Sequence, residues 1–326
     1  MTAGFMHHGG RIEAARARFG GPRGAWLDLS TGINPNGWQP PQTLDVDWRA
    51  LPEPDALERL ERVAARHFGC DPAYCGGVPG SEAGLRLLAR LLRRPAVHLR
   101  LAYGSYGAAF ARADAVDGLA DLPTRPTILV LGNPNNPDGA VIPRDHLLAL
   151  LDHQERHGGW MIADEAFADC DPGWSIAGQV SDRRRLIVLR SFGKFFGLAG
   201  LRLGFVIAPR AVLAEMRATL GDWPLHAAAL TLGAAAYADA AWIGATRHAL
   251  TRRAATLDAV LSRFGLIGRG SCPLFRLIES PDAGSLFRRL AQRHILTRPF
   301  ADYPDLLRIA LPADANALER LEAALG

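Results

Sequence analysis

The chain has 326 residues, 48% hydrophobic and 21% charged, with a formal net charge of +4. That length supports one large domain and a smaller one, each with its own core, and the composition excludes a disordered chain. The basic residues are scattered rather than gathered in runs, no apolar stretch is long enough to span a bilayer, and no N-terminal signal is seen; a cytoplasmic location with neither nucleic acid nor membrane as partner is expected.

Along the chain, the first 40 residues are rich in Gly and Pro and read as an arm with one short helix near residues 11–19. Residues 55–68 place Leu57, Leu60, Val63, Ala64 and Phe68 on one helical face, and Pro54 suits the start of that helix. The Gly-rich stretch GGVPGSEAG then opens into a helix over 83–92. Strand-like runs at 96–101, 127–131, 160–163, 186–190 and 204–207 alternate with helical stretches. Most are continuously apolar, as strands covered on both faces are, so the fold class is α/β with a mostly parallel central sheet. From about residue 222 the pattern changes to an Ala-rich helical region, a strand at 275–279, a helix at 285–294, a strand at 307–310 and a last helix, which together read as a smaller α+β domain.

The basic residues carry an unusual bias. Of 37, 36 are Arg and one, Lys194, is Lys. Arg replaces Lys on a surface, but its guanidinium stays protonated and cannot do imine chemistry. Lys194 is therefore a candidate for amine chemistry, and its surroundings decide the matter. It lies in SFGKFFGLAGLRLGF (191–205), which also carries Ser191 and Arg202, a pair suited to a phosphate. Its neighbours Phe192, Phe195 and Phe196 offer apolar surroundings that favour a neutral, nucleophilic amine.

Three other segments complete the pattern. PGSEAG (79–84) leaves backbone N–H groups free at a helix start, where the dipole favours an anion, and Ser81 adds a hydroxyl. LGNPNNPDG (131–139) follows a strand and fixes Asn133 and Asn136 at its carboxyl end, where ligands of α/β sheets bind. MIADEAFAD (161–169) ends an apolar strand in Asp164 and Glu165; such a carboxylate can pair with a protonated ring nitrogen or simply cap a helix. The four cysteines, Cys70, Cys75, Cys170 and Cys272, form no C-x-x-C pair, and HQERH (153–157) lacks the order of a zinc-protease helix, so no metal is expected.

In this order and spacing the four segments resemble the fold-type-I pyridoxal-phosphate enzymes, which have the aspartate-aminotransferase-like fold, and most of all the branch holding histidinol-phosphate aminotransferases and threonine-phosphate decarboxylases. The resemblance implies pyridoxal 5'-phosphate as cofactor, carried covalently by the catalytic Lys194. Asp164 would pair with the pyridine N–H, and Asn136 would bond the ring hydroxyl. Ser81, the Ser81–Glu82 backbone, Ser191 and Arg202 would hold the phosphate. Tyr103 would stack on the ring, with Tyr106 as its rival, and Arg308 in LLRIALP would bind the substrate carboxylate. The expected division is an arm, 1–40, contributing to the small domain and the active site; a large cofactor-binding domain, 41–221; and a connecting helix with the small domain, 222–326. Two positions depart from the family pattern. Phe167 stands where many relatives have a Tyr that donates to the ring hydroxyl, and Leu51 stands where a Tyr reaches the partner subunit's phosphate.

The N-terminus narrows the reaction. MHHGGRIEAARARFG followed by WLDLSTGINPNG resembles the threonine-phosphate decarboxylases of cobalamin biosynthesis, in which His8, Gly9, Gly10 and the Asn34 loop would close over the substrate phosphate. Backbone N–H groups at Gly9 and Gly10 suit a dianion, and Arg298 in ILTRPF is a second candidate for substrate anion binding. The implied activity is decarboxylation of a small phosphorylated amino acid, L-threonine O-3-phosphate, by a homodimer. The alternative is a histidinol-phosphate aminotransferase, and a ligand-sensing domain on the same fold would carry a helix-turn-helix segment not seen here.

Overall fold

The computed structural model describes Phe5, residues 9–40 and residues 42–326. The chain divides into two compact units: Gly37–Asn136 with Val141–Ala245, and Met1–Asn36 with Pro137–Ala140 and Thr246–Gly326. Among the described residues, no helix is long and apolar enough to cross a membrane.

The larger unit is built on a seven-stranded sheet. In spatial order its strands are Cys75–Val78, Gly204–Ile207, Leu186–Ser191, Trp160–Asp164, Ile128–Gly132, Ala96–Leu99 and Ala113–Val116. Gly204–Ile207 runs antiparallel to both its neighbours and the other pairings are parallel, as the continuously apolar runs foretell. Helices cover both faces. Successive residues of a strand point to opposite sides, and in the first strand a Cβ on Gly76 would lie 2.8 Å from Met216 of helix Arg210–Leu220. A Cβ on Gly77 would lie 2.8 Å from Leu225 and 3.3 Å from Leu57 of helix Pro54–Phe68.

Those two glycines explain why no strand is legible in GGVPGSEAG, which reads only as a Gly-rich stretch opening into a helix. Glycine is a poor strand former, but Cys75–Val78 is wedged so tightly between helices that larger side chains do not fit. Strand Ala113–Val116, half exposed at the sheet edge, also lacks a clear apolar signature. Helix Ala227–Ala238 packs on helix Pro54–Phe68, where Gly233 lies against Leu60 and Leu203.

The parallel order brings three carboxyl ends into register: Gly132 is paired with Asp164, Asp164 with Leu189, and Ser191 with Gly204. The Asn-Pro loop, the acidic pair and the Lys194 segment therefore emerge from one end of the sheet.

The smaller unit holds a four-stranded antiparallel sheet in the order Arg298–Pro299, Leu306–Ala310, Phe275–Glu279, Gly268–Arg269. The N-terminal arm joins this unit by a short parallel pairing of Leu27–Asp28 with Ile295–Leu296, and the Ala310 N–H donates to Leu29 O at 2.9 Å. Helices Ile12–Phe19, Ala283–Gln292 and Ala315–Leu325 complete it.

Packing, not strand propensity, governs the first strand. Gly77→Val, which improves β propensity, should destabilise the protein by about 1–3 kcal/mol through overpacking. Chemical denaturation checks this; an unchanged or raised midpoint would contradict it.

Candidate active site

At the carboxyl ends of the parallel strands lies a pocket within the larger unit, about 810 Å³ of space continuous with solvent. Its wall draws on all four sequence segments: Ser81 and Glu82; Asn136; Asp164 and Phe167; and Ser191, Lys194 and Arg202. Tyr103 and Tyr106 complete it.

Lys194 sits on a single helical turn, Phe192–Phe195, that follows strand Leu186–Ser191. The three flanking phenylalanines, all fully buried, anchor that turn in the core. Phe192 stacks on Phe196 at 4.6 Å, both rings meet Tyr237, and Phe196 stacks on Trp242 at 5.6 Å. The aromatic group facing the amine in the pocket is instead Phe167, with Nζ 5.7 Å from its ring centre.

Asp164 ends strand Trp160–Asp164 and is 9% exposed. Its Oδ1 accepts the Ala166 N–H at 3.1 Å and its Oδ2 accepts the Tyr106 hydroxyl at 3.0 Å. Burial pushes its carboxyl up to about 6; the bonds from Tyr106 and Ala166 and the Lys194 charge oppose this, while Glu82 adds to it. Tyr106 is 2% exposed, with its hydroxyl engaged by Asp164, whereas Tyr103 is half-buried with its ring edge-on to that of Tyr106.

A second cluster is suited to an anion. The first N–H groups of helix Ser81–Leu92 have no intrahelical acceptors, and the helix dipole favours negative charge there. Arg202 adopts a left-handed backbone (φ 51°), and its Nη1 donates to Ala199 O at 3.1 Å. Two glycines make the approach possible. A Cβ on Gly80 (φ +93°) would lie 2.8 Å from the Arg202 Nη2, and one on Gly204 would lie 2.4 Å from the Ser81 backbone nitrogen. Ser191 pairs with Gly204 across the strands and faces the same cavity. Glu82 lies there too; its Oε1 accepts from Arg86 at 2.8 Å, while its buried Oε2 has no hydrogen-bond partner among the described residues.

The asparagines divide their tasks. Asn136 lines the pocket. Asn133 is fully buried and ties the loop down, accepting the Ile142 N–H at 2.8 Å and donating to Trp174 O at 3.0 Å, while Asn135 donates to Leu101 O at 3.0 Å.

Behind the pocket lies a charged network that sequence reasoning missed. Arg190 and Glu165, next in sequence to Ser191 and Asp164, turn to the opposite face by strand alternation. Arg190 donates to Glu165 at 2.9 Å and pairs with Asp169, which also contacts His67 at 3.0 Å. Ser175 Oγ and the Ile176 N–H complete Glu165, at 2.5 and 2.7 Å. Burial drives the Asp169 carboxyl up, but the Arg190 charge and the His67 contact outweigh it and hold the group down at about 2. The signal was present as an Arg inside the apolar run LIVLRS and an acid pair after MIA.

The smaller unit gathers the remaining candidates. Gly9 and Gly10 lie on Ser30: a Cβ on Gly9 would be 2.3 Å from Ser30 O, and the Gly10 N–H donates to Ser30 Oγ at 2.8 Å. That N–H is therefore occupied within the arm rather than free as the sequence reading had it. Arg308 is 5% exposed and donates to Ser30 O at 2.8 Å. Arg298 stands directly opposite Arg308 in the antiparallel register. Asn34 is 2% exposed and its Oδ1 accepts the Asn36 N–H at 3.0 Å. His8 lies outside the described residues.

The family model for aminotransferase class I and II matches residues 109–325. The chain belongs to this family. As a class I and II aminotransferase relative, it is 41% identical over 332 residues to a threonine-phosphate decarboxylase from a Sinorhizobium species, covering 100% of this chain and 98% of that one. It is 38% identical to the threonine-phosphate decarboxylase of Pseudomonas aeruginosa, covering 98% and 97%. Its fold is similar to that of the L-threonine-O-3-phosphate decarboxylase from Porphyromonas gingivalis, with a TM-score of 0.74 at 19% identity over 91% of this chain and 97% of that one.

In this family member the raised Asp164 pKa makes a stability prediction. Below about pH 4 the group is protonated folded or unfolded; as pH rises toward 6 the unfolded chain ionises it first, so stability falls across that window. With no ligand bound, Asp164→Asn should remove that fall and leave the variant about 1–3 kcal/mol more stable above pH 6. Thermal melts of the two proteins between pH 4 and 8 check this; parallel curves would refute it.

Proposed function

We propose that this protein is a pyridoxal-phosphate-dependent decarboxylase converting L-threonine O-3-phosphate to (R)-1-aminopropan-2-yl phosphate, for the side chain of cobalamin. The observation that carries the reading is the convergence in one pocket of the single lysine, a buried carboxylate and a glycine-lined anion cradle. Full-length similarity to threonine-phosphate decarboxylases supports the choice of reaction.

The residues present fit the cofactor. Lys194 supplies the amine that carries it. Asp164 pairs with the ring N–H, a cationic partner that relieves its burial. Asn136 bonds the ring oxygen without help from Phe167, which has no hydroxyl. Tyr103 would be the aromatic to cover the ring, since the Tyr106 hydroxyl is committed to Asp164. Ser81, the Ser81–Glu82 backbone, Ser191 and Arg202 hold the phosphate; the space that a Gly80 Cβ would fill is taken by the Arg202 guanidinium. When bound, the cofactor supplies an electron sink for the pair released as the Cα–carboxylate bond breaks.

The remaining work falls to the chain. Arg308 binds the substrate carboxylate and, together with the phosphate-binding arm, sets which bond at Cα is aligned to break. Arg298, Gly9, His8 and the Asn34 loop hold the substrate phosphate, while Gly10, whose N–H is taken by Ser30 Oγ, shapes the arm. Lys194 Nζ or a water returns a proton to Cα once carbon dioxide has left. The protein works as a cytoplasmic homodimer. Trp48, Leu51 and Trp223, 74%, 64% and 55% exposed, are apolar side chains that a second copy would cover.

Holoenzyme incubated with L-threonine O-phosphate and no keto acid should yield aminopropanol phosphate catalytically, identified by mass spectrometry. Intact substrate, with glutamate formed from histidinol phosphate and 2-oxoglutarate, would replace this reading by the aminotransferase. Lys194→Ala should lower turnover at least about a thousandfold, and Arg308→Ala should mainly raise KM, by about 10- to 100-fold for a lost charged hydrogen bond.

A further inference from the structure

Asp164 is held at both oxygens, and one of the two donors is a side chain. The Ala166 N–H to Oδ1 comes with the backbone turn, whereas the Tyr106 hydroxyl to Oδ2 is supplied by a residue 58 positions earlier. The phenol is locked by packing. Its ring is edge-on to Tyr103 at 5.7 Å and to His98 at 6.5 Å, and it is 2% exposed. Gly132, paired in register with Asp164, keeps its place open: a Cβ there would lie 3.0 Å from the Tyr106 hydroxyl and 3.2 Å from Asn135 Cα.

We propose that Tyr106 is a positioning residue that, through its hydroxyl, fixes the Asp164 carboxylate and supports its charge beneath the cofactor ring nitrogen. The inference rests on the pyridoxal-phosphate reading of the pocket and not on the identity of the substrate. Phe167 has no hydroxyl to contribute, so the phenol on Asp164 comes from the other wall of the pocket.

The charges that face Asp164 set the direction of the effect. Burial raises its carboxyl; Tyr106, the Ala166 N–H and Lys194 lower it; Glu82 raises it. Tyr103 is the other titratable group at hand, and its hydroxyl, like that of Tyr106, is pushed above the usual tyrosine range by burial, well above it for Tyr106. Tyr106 therefore remains a donor across the working range. Without that donor Asp164 would be more basic and would draw the proton of a bound cofactor's ring nitrogen toward itself, so the bound cofactor would titrate at higher pH.

The test is a double-mutant cycle on the holoenzyme, with Tyr106→Phe, Asp164→Asn and the pair. The readouts are the pH midpoint of the bound cofactor's visible absorbance, the pyridoxal phosphate dissociation constant and kcat against KM. Tyr106→Phe alone should raise the midpoint by at least about half a pH unit, weaken cofactor binding about tenfold, as expected for a lost hydrogen bond to a charged group, and lower kcat more than it raises KM. In the Asp164→Asn background the same substitution should leave midpoint and affinity unchanged. An unaltered midpoint and affinity in Tyr106→Phe would overturn the proposal. So would an effect of the same size in both backgrounds, since that is a packing role. A wild-type protein that takes up no pyridoxal phosphate would sink the reading of the pocket itself, and this role with it.

Discussion

A fully buried guanidinium, Arg190, joins the two strand ends from which the pocket is built. It pairs with Glu165 and Asp169 on one face of the sheet, and the residues next to it and to Glu165, Ser191 and Asp164, line the pocket on the other. The period of two along a strand converts an ion pair on one side into a fixed spacing on the other. Removing one partner of such a pair leaves an uncompensated buried charge, at about 3–5 kcal/mol. The position of Asp164 relative to Ser191 is thus enforced by interactions that never touch a ligand. The Phe68 ring lies 4.5 Å from the Arg190 guanidinium and links this network to the aromatic core that seats the Lys194 turn.

Chemistry in the pocket depends as much on missing side chains as on those present. Gly80 admits the Arg202 guanidinium, Gly204 lets the first turn of helix Ser81–Leu92 approach the sheet, and Gly132 leaves room for the Tyr106 hydroxyl. The pocket combines this cationic end with a carboxylate whose burial is unfavourable when no cation faces it. Such a site is unstable for its own sake and favours a ligand that is anionic at one end and cationic on its ring.

The smaller unit obeys the same logic. Two arginines, Arg298 and Arg308, stand opposite each other across antiparallel strands, and Arg308 is hydrogen-bonded to the arm at Ser30. Pairing of the arm with Ile295–Leu296 brings Gly9 and Gly10 to the same serine. Segments almost 300 residues apart thereby meet in one compact unit.

Much of this was legible in the sequence. A lone lysine among 36 arginines marks amine chemistry because guanidinium cannot substitute for it, and the continuous apolar runs mark a parallel sheet because strands covered on both faces need no polar side. Residues of all four segments line one pocket, as do those that the family resemblance implies for a cofactor. Tertiary structure alone decided which of several equivalent groups does which task. Asn136 faces the pocket while Asn133 ties its loop; Tyr106 turns to Asp164 while Tyr103 stays half open; the phenylalanines around Lys194 face the core; and the Gly10 N–H is taken by Ser30. The strand Cys75–Val78 belongs with these, since its glycines are explained only by the helices packed on them. Composition and spacing report what chemistry a segment can perform, whereas the direction in which each side chain points is set by partners distant in the chain.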